Sequence, residues 1–133
     1  MEIIYISKDE VNRSLAEELA QRCGAVVHEC RPECAAPDGR WYDGILYDLD
    51  AVGPDGRHAL VERILSEGSI CPTAVHGYEI SAEEAATLRE HGIAMTKRLR
   101  KELLWTLFRA ARRNREAIAD GSVTEGTWIA LEA

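Results

Sequence analysis

Short uninterrupted apolar runs alternate along the chain with stretches in which apolar residues recur every three or four positions. Residues 3–6 form the first run, and four consecutive apolar positions predict a strand covered on both faces. Val11, Leu15 and Leu19, with Ala16, Ala20 and Cys23 beside them, follow at helical spacing as far as Gly24, a residue suited to closing a helix. Asp9 stands just ahead of that helix, where a carboxylate accepts from the first unpaired amides. Residues 25–30 and 44–49 read as the second and third strands. The spacing of Leu60, Val61, Ile64 and Leu65 predicts a helix ending at Gly68, and residues 71–76 predict a fourth strand with Pro72 tolerable near its start. Ser81-Ala82-Glu83-Glu84 has the capping-box pattern and opens a helix that ends before Gly92. Residues 93–96 are a short fifth strand, and Leu99, Leu103, Leu107 and Ala111, flanked by Leu104 and Phe108, predict a long final helix. Trp105 and Phe108 fall at spacings that suit its core side.

Right-handed crossovers between parallel strands turn this order of elements into an α/β, doubly wound parallel sheet, with its site at the carboxyl ends of the first, third and fifth strands. Between the second and third strands, residues 31–43 contain Pro32, Pro37 and Gly39, which leave no room for a helix of ordinary length. The second helix is therefore expected to be reduced to a loop. Trp41, Tyr42 and the nearby cysteines either fold over the sheet face left bare or form an exposed recognition patch. The main domain is expected to span residues 1–115. The tail, 116–133, is broken by Gly121 and Gly126, yet Val123, Trp128, Ile129 and Leu131 make it too apolar for a purely solvated end. Docking on its own domain, strand exchange with a neighbour and contact with a partner are all open to it.

Composition narrows the function classes. At 133 residues the chain suits one domain, large enough to bury about two-thirds of its unfolded surface without metal or disulfide. Its apolar runs fall far short of the roughly 20 residues that cross a bilayer, and the N-terminus enters a strand without a charged-then-apolar leader. Cys23, Cys30, Cys34 and Cys71 then read as reduced thiols, so a cytoplasmic protein with no membrane contact is expected. His28, Cys30 and Cys34 fall short of the four ligands a closed zinc site needs. No GxGxxG, Walker or GxSxG pattern is present, which disfavours nucleotide, flavin and hydrolase chemistry and predicts no cofactor. The net charge of −7 conceals an asymmetry, because residues 97–115 hold eight of the sixteen Lys and Arg residues and one acid, Glu102. An acidic body argues against nucleic acid as main partner, while the basic stretch is either a solvated face or a surface for an acidic protein.

The candidate chemistry centres on Asp48, in Asp43-Gly44-Ile45-Leu46-Tyr47-Asp48-Leu49-Asp50 at the end of the third strand. With Thr96-Lys97 after the fifth strand and Ser7-Lys8-Asp9-Glu10 followed by Arg13 after the first, residues 2–113 resemble the receiver domain of two-component response regulators. The resemblance implies a flavodoxin-like, five-stranded parallel sheet in the order 2-1-3-4-5. It aligns Asp48 with the phosphoacceptor and Lys97 with the lysine that pairs with the phosphoryl group.

The departures from that family decide the expected function. Receivers hold Mg²⁺ with two carboxylates after the first strand together with the phosphoacceptor, and Ser7 and Lys8 stand in those places here. Asp9 and Glu10, just downstream, are the alternative acidic pair. The hydroxyl residue of the fourth strand falls on His76, the switch aromatic of the fifth on Ala94, and the proline after the lysine on Arg98. Ser7, Lys8, Asp48, His76 and Lys97 are expected to form a metal-free pocket in which Asp48 is vestigial and satisfied by lysine charge. The reading is a degenerate receiver, or pseudo-receiver: not an enzyme, independent of phosphorylation, and acting by protein contact. Its partner, another protein or a second copy, is expected on the last strand and last two helices, through Arg98, Arg100, Lys101, Arg109, Arg112 and Arg113. A receiver phosphorylated on Asp48 and nucleic-acid binding through the basic helix are the alternatives.

Overall fold

The computed structural model describes residues 1–32, 42–68 and 71–119. Five strands, β1 (Glu2–Ile6), β2 (Val26–Cys30), β3 (Gly44–Asp48), β4 (Thr73–His76) and β5 (Ala94–Thr96), pair in parallel in the order β2-β1-β3-β4-β5. Helices α1 (Glu10–Arg22), α2 (Pro54–Gly68), α3 (Ala82–Glu90) and α4 (Lys101–Ala119) cover it. This is the expected flavodoxin-like topology. The chain starts in the middle of the sheet, runs out to β2 and returns to β3, so the order reverses between β1 and β3, where doubly wound sheets open a crevice.

Alternation along each strand builds two cores. Ile3, Tyr5, Leu46 and Ala74 face Ala16 and Ala20 of α1 and Leu103, Leu104, Leu107 and Phe108 of α4. Ile4, Ile6, Ile45, Tyr47 and Val75 face Leu60 and Ile64 of α2 and Leu88 of α3. Burial on both sides explains why the strands read as continuous apolar runs. Local chemistry fixes the helix ends. Asp9 accepts from the amides of Val11 and Asn12, Ser81 and Glu84 form a complete capping box, and Gly24 and Gly92 take φ values of 72° and 71° just beyond α1 and α3.

Two expectations are corrected. Val11 and Leu15 do not enter the core: they are 78% and 37% exposed, and α1 seats Ala16 and Ala20 on the sheet instead, with Leu19 and Cys23 half-buried. Trp105 is 48% exposed, whereas Phe108, on the same helix, is buried. The amphipathic stripe is narrower than the spacing of large apolar residues indicates, because a helix seated close against a sheet takes small side chains at the contact.

The loop expected in place of a helix falls mainly on residues 33–41, which lie outside the described residues along with Cys34 and Trp41. Tyr42 is described: it is half-buried against the α2 side of the sheet and meets His28 edge-on, with ring centroids 5.5 Å apart. Helix α4 continues past residue 115 to Ala119, and residues 120–133 lie outside the described residues. No helix among the described residues is long and apolar enough to cross a membrane.

Candidate functional site

Strand register carries the site. Asp48 pairs with His76 and Ile6 with Tyr47, so Ser7, one residue beyond β1, arrives level with Asp48. Residues 5, 7, 48 and 76 share the parity that points to the α1 and α4 side, and all four are almost fully buried. A polar cluster is thereby assembled inside an apolar layer from residues 71 positions apart in sequence.

Hydrogen bonds hold it together. Ser7 Oγ donates to Asp48 Oδ2 at 2.8 Å and accepts from the Asp9 amide at 3.0 Å. Asp48 Oδ1 accepts from the Asp50 amide at 2.9 Å, an Asx-type bond that also starts the 3-10 turn at Leu49–Ala51. Both carboxylate oxygens are thus engaged by donors. His76 Nδ1 lies 3.8 Å from Asp48 Oδ1, and His76 Nε2 and the Tyr5 hydroxyl lie 2.6 Å apart and share a hydrogen bond. Burial holds the His76 pKa below its ordinary 6.5, against the opposing pull of the carboxylates of Asp48, Asp50 and Asp9. Burial likewise pushes the Tyr5 hydroxyl well above its ordinary value, so both rings stay neutral at pH 7.

Above the cluster lies a cleft of about 280 Å³, lined by Lys8, Asp9, Asn12, Asp48, Asp50 and Ala51. Of the expected pocket residues, Ser7, Asp48 and His76 come together and Lys8 lines the cleft over them while itself exposed. Lys97 is exposed at the end of β5 and makes no ion pair with Asp48, so the expected pair of cations around one carboxylate is not assembled on its side. Tyr5 escaped the sequence reading. A tyrosine inside an otherwise aliphatic strand, whose hydroxyl needs a buried partner, was the available signal.

Of the acids lining the cleft, Asp9 Oδ1 caps α1, Asp50 accepts from the Tyr78 amide through both oxygens, and Asp48 is held as described. Of the alternative acidic pair, Asp9 caps α1 through Oδ1 and Glu10 is exposed in the first turn of α1. No three His, Cys, Asp or Glu side chains among the described residues converge as metal ligands. His28 meets Glu2 at 3.0 Å and packs edge-on against Tyr42. Ser7 Oγ donates to Asp48 and not to a histidine, so it is not held as a histidine-activated nucleophile.

Arg98, Arg100, Lys101, Arg109, Arg112 and Arg113 are all exposed, on α4 or just ahead of it. The Arg98 guanidinium lies 5.9 Å from the Tyr78 ring centroid, and Arg115, further along α4, pairs with Asp43 at 3.4 Å. Ala94, at the switch-aromatic position, is half-buried against the α4 core.

No protein-family model and no curated protein matches the sequence. Solved structures match it in fold. A two-component response regulator from Clostridium difficile aligns with a TM-score of 0.61 at 18% identity, over 86% of this chain and 98% of that one. Vibrio cholerae chemotaxis protein CheY4 aligns at 0.55 and 18%, over 81% and 95%. A fusion carrying a yeast Spc42 trimeric coiled-coil segment aligns at 0.57 and 19%, over 89% and 80%. At these identities the likeness establishes the shared flavodoxin-like architecture.

Proposed function

We propose that this chain is a receiver-like regulatory module that works by contact with another protein, and that Asp48 has become a structural acid. The observation that carries the reading is the state of Asp48: 3% exposed, with both oxygens engaged, beside Ser7 where a metal-holding acid would stand. Phosphoryl transfer to a carboxylate needs a cation to offset charge on the transferring group, and in this cleft Asp9 Oδ1, Asp48 Oδ1 and both Asp50 oxygens already accept from backbone amides. Loss of that chemistry leaves shape and surface charge as the signal. The exposed arginines of α4, with Arg98, Arg100 and Lys101 ahead of or at its start, form a surface to which an acidic partner would be steered. The protein would then act in the cytoplasm, without catalysis and without phosphorylation.

The open cleft beside Asp48 favours the rival reading, a phosphorylated receiver, and one experiment separates the two. The chain is incubated with acetyl phosphate and magnesium and followed by intact mass. In parallel, its amide spectrum is recorded with beryllofluoride and magnesium. No mass gain and no displacement of the Ser7, Asp48 and His76 resonances are expected. A phosphoryl adduct that is lost in Asp48→Ala overturns the proposal.

A further inference from the structure

The groove between α1 and α4 shares no residue with the cleft at Asp48. Leu19 and Cys23 of α1 and Leu104, Trp105 and Phe108 of α4 line it, together with Arg22 and Lys101. Its volume is about 190 Å³, below the roughly 300–1,000 Å³ of small-molecule sites and suited to one or two side chains laid in from outside. Trp105, 48% exposed, is the kind of rigid aromatic that anchors a partner. At about 100° per residue, Lys101, Trp105, Arg109 and Arg112 fall within an arc of about 80°, so cations with an aromatic among them run beside the groove for about 17 Å. The two walls differ in charge. Arg22, on the α1 side, is paired with Glu18 at 3.2 Å, whereas Lys101, Arg109 and Arg112 have no ion pair among the described residues. Glu102 and Glu116, the acids on the exposed side of α4, stand towards its two ends. The uncompensated positive charge therefore belongs to α4.

We infer that the protein docked on α4 presents an amphipathic acidic α-helix, laid beside α4 with apolar side chains on Trp105 and in the groove and with carboxylates against Lys101, Arg109 and Arg112. This occupant rests on the protein-contact reading above and adds a shape to it. Charge selects an acidic partner, and the apolar lining beside Trp105 requires apolar side chains on that same partner. Backbone chemistry selects a helix. Both walls of the groove are helices, so an extended segment laid along it finds no strand edge to pair with, whereas a helix arrives with its own amides and carbonyls paired. A helix also repeats its side chains every three or four residues, the intervals that separate Lys101, Trp105, Arg109 and Arg112. A second copy of this chain is a poorer fit, because α4 laid antiparallel on its own equivalent around Arg109 sets that arginine against itself.

The test titrates the full-length protein with two synthetic peptides of one composition, built from Leu, Glu and Ala. In the first, Leu recurs at helical spacing with Glu on either side; in the second the same residues are scrambled so that no face forms. Saturable shifts of the Trp105 indole and of the amides of residues 19–23 and 101–112 are expected with the first peptide, weakening as salt rises. The scrambled peptide should bind at least about tenfold more weakly, and Trp105→Ala should weaken the first peptide by a similar factor. Arg109→Glu/Arg112→Glu should weaken it too and flatten its salt dependence. Equal affinity for the two peptides overturns the helix while leaving contact with an acidic partner in place. Binding of neither overturns the helix together with the assignment of an acidic partner to α4. Shifts confined to residues outside α1 and α4 overturn it as well. A Trp105 indole that moves with protein concentration before any peptide is added makes a second copy the occupant, with the same consequence.

Discussion

At the scale of single residues, His76 is the group whose charge state the fold controls most closely. Its ring is 2% exposed and meets Tyr5 at Nε2 and Asp48 across 3.8 Å at Nδ1, while Asp50 and Asp9 contribute more distant carboxylates. Burial dominates these attractions, so the folded-state pKa lies below the unfolded 6.5. The unfolded chain therefore binds the proton more readily. The stability linked to neutral His76 is fully present above about pH 6.5 and is lost as pH falls from there through the depressed folded value. Urea titrations at a series of pH values should show this loss in the wild-type chain. His76→Gln, which can still bond the Tyr5 hydroxyl but has no proton to take up, should show a flatter profile over the same range. Identical profiles would mean that His76 is not held neutral. The acid Asp48 was legible in the sequence because a carboxylate ends an apolar strand. Its companions were not: the Tyr5–His76 and Ser7–Asp48 contacts span 71 and 41 positions and depend on strand register, which no local pattern encodes.

At the scale of elements, the strands, the capping box at Ser81 and the glycine stops at Gly24 and Gly92 were readable because each rests on chemistry within a few residues. The orientation of α1 was not. Size and hydrophobicity single out Val11 and Leu15, but the close approach of α1 to the sheet admits only small side chains, and Ala16 and Ala20 occupy the contact with no exposed surface. Trp105 misleads for a related reason, since one more large side chain at helical spacing looks like core until the groove beside α1 is seen. This orientation predicts an inverted mutational pattern. Ala20→Leu should overpack the α1 contact and cost about 1–3 kcal/mol, lowering the urea midpoint. Val11→Ser, a nominally harsher hydrophobic-to-polar change, should stay within about 0.5 kcal/mol of wild type. A large loss from Val11→Ser would show that α1 is rotated from the arrangement described.

At the scale of the whole molecule, two opposed charge fields compete for any polyanionic partner. Residues 97–115 carry a net charge of +7, leaving −14 on the remainder to give −7 in all. Part of the basic field is internal, since Arg115 is drawn to Asp43, but Arg109, Arg112 and Arg113 are exposed on α4. Near contact, where charges closer than about 10 Å at 0.1 M salt dominate, α4 presents a cationic surface; at longer range a nucleic-acid duplex meets an acidic protein. Generic DNA should therefore bind weakly at low salt only. A fluorescence-anisotropy titration with a labelled duplex is expected to show no saturation at about 200 mM salt. The triple variant Arg109→Glu/Arg112→Glu/Arg113→Glu should remove the low-salt signal while leaving the thermal midpoint nearly unchanged, because these side chains lie on the surface. A compact acidic protein differs from a duplex in that its charge can end at the edge of the α4 face, avoiding the repulsive body behind it. Saturable duplex binding that persists at the higher salt and vanishes in the triple variant would make nucleic acid the partner and set the protein-contact reading aside.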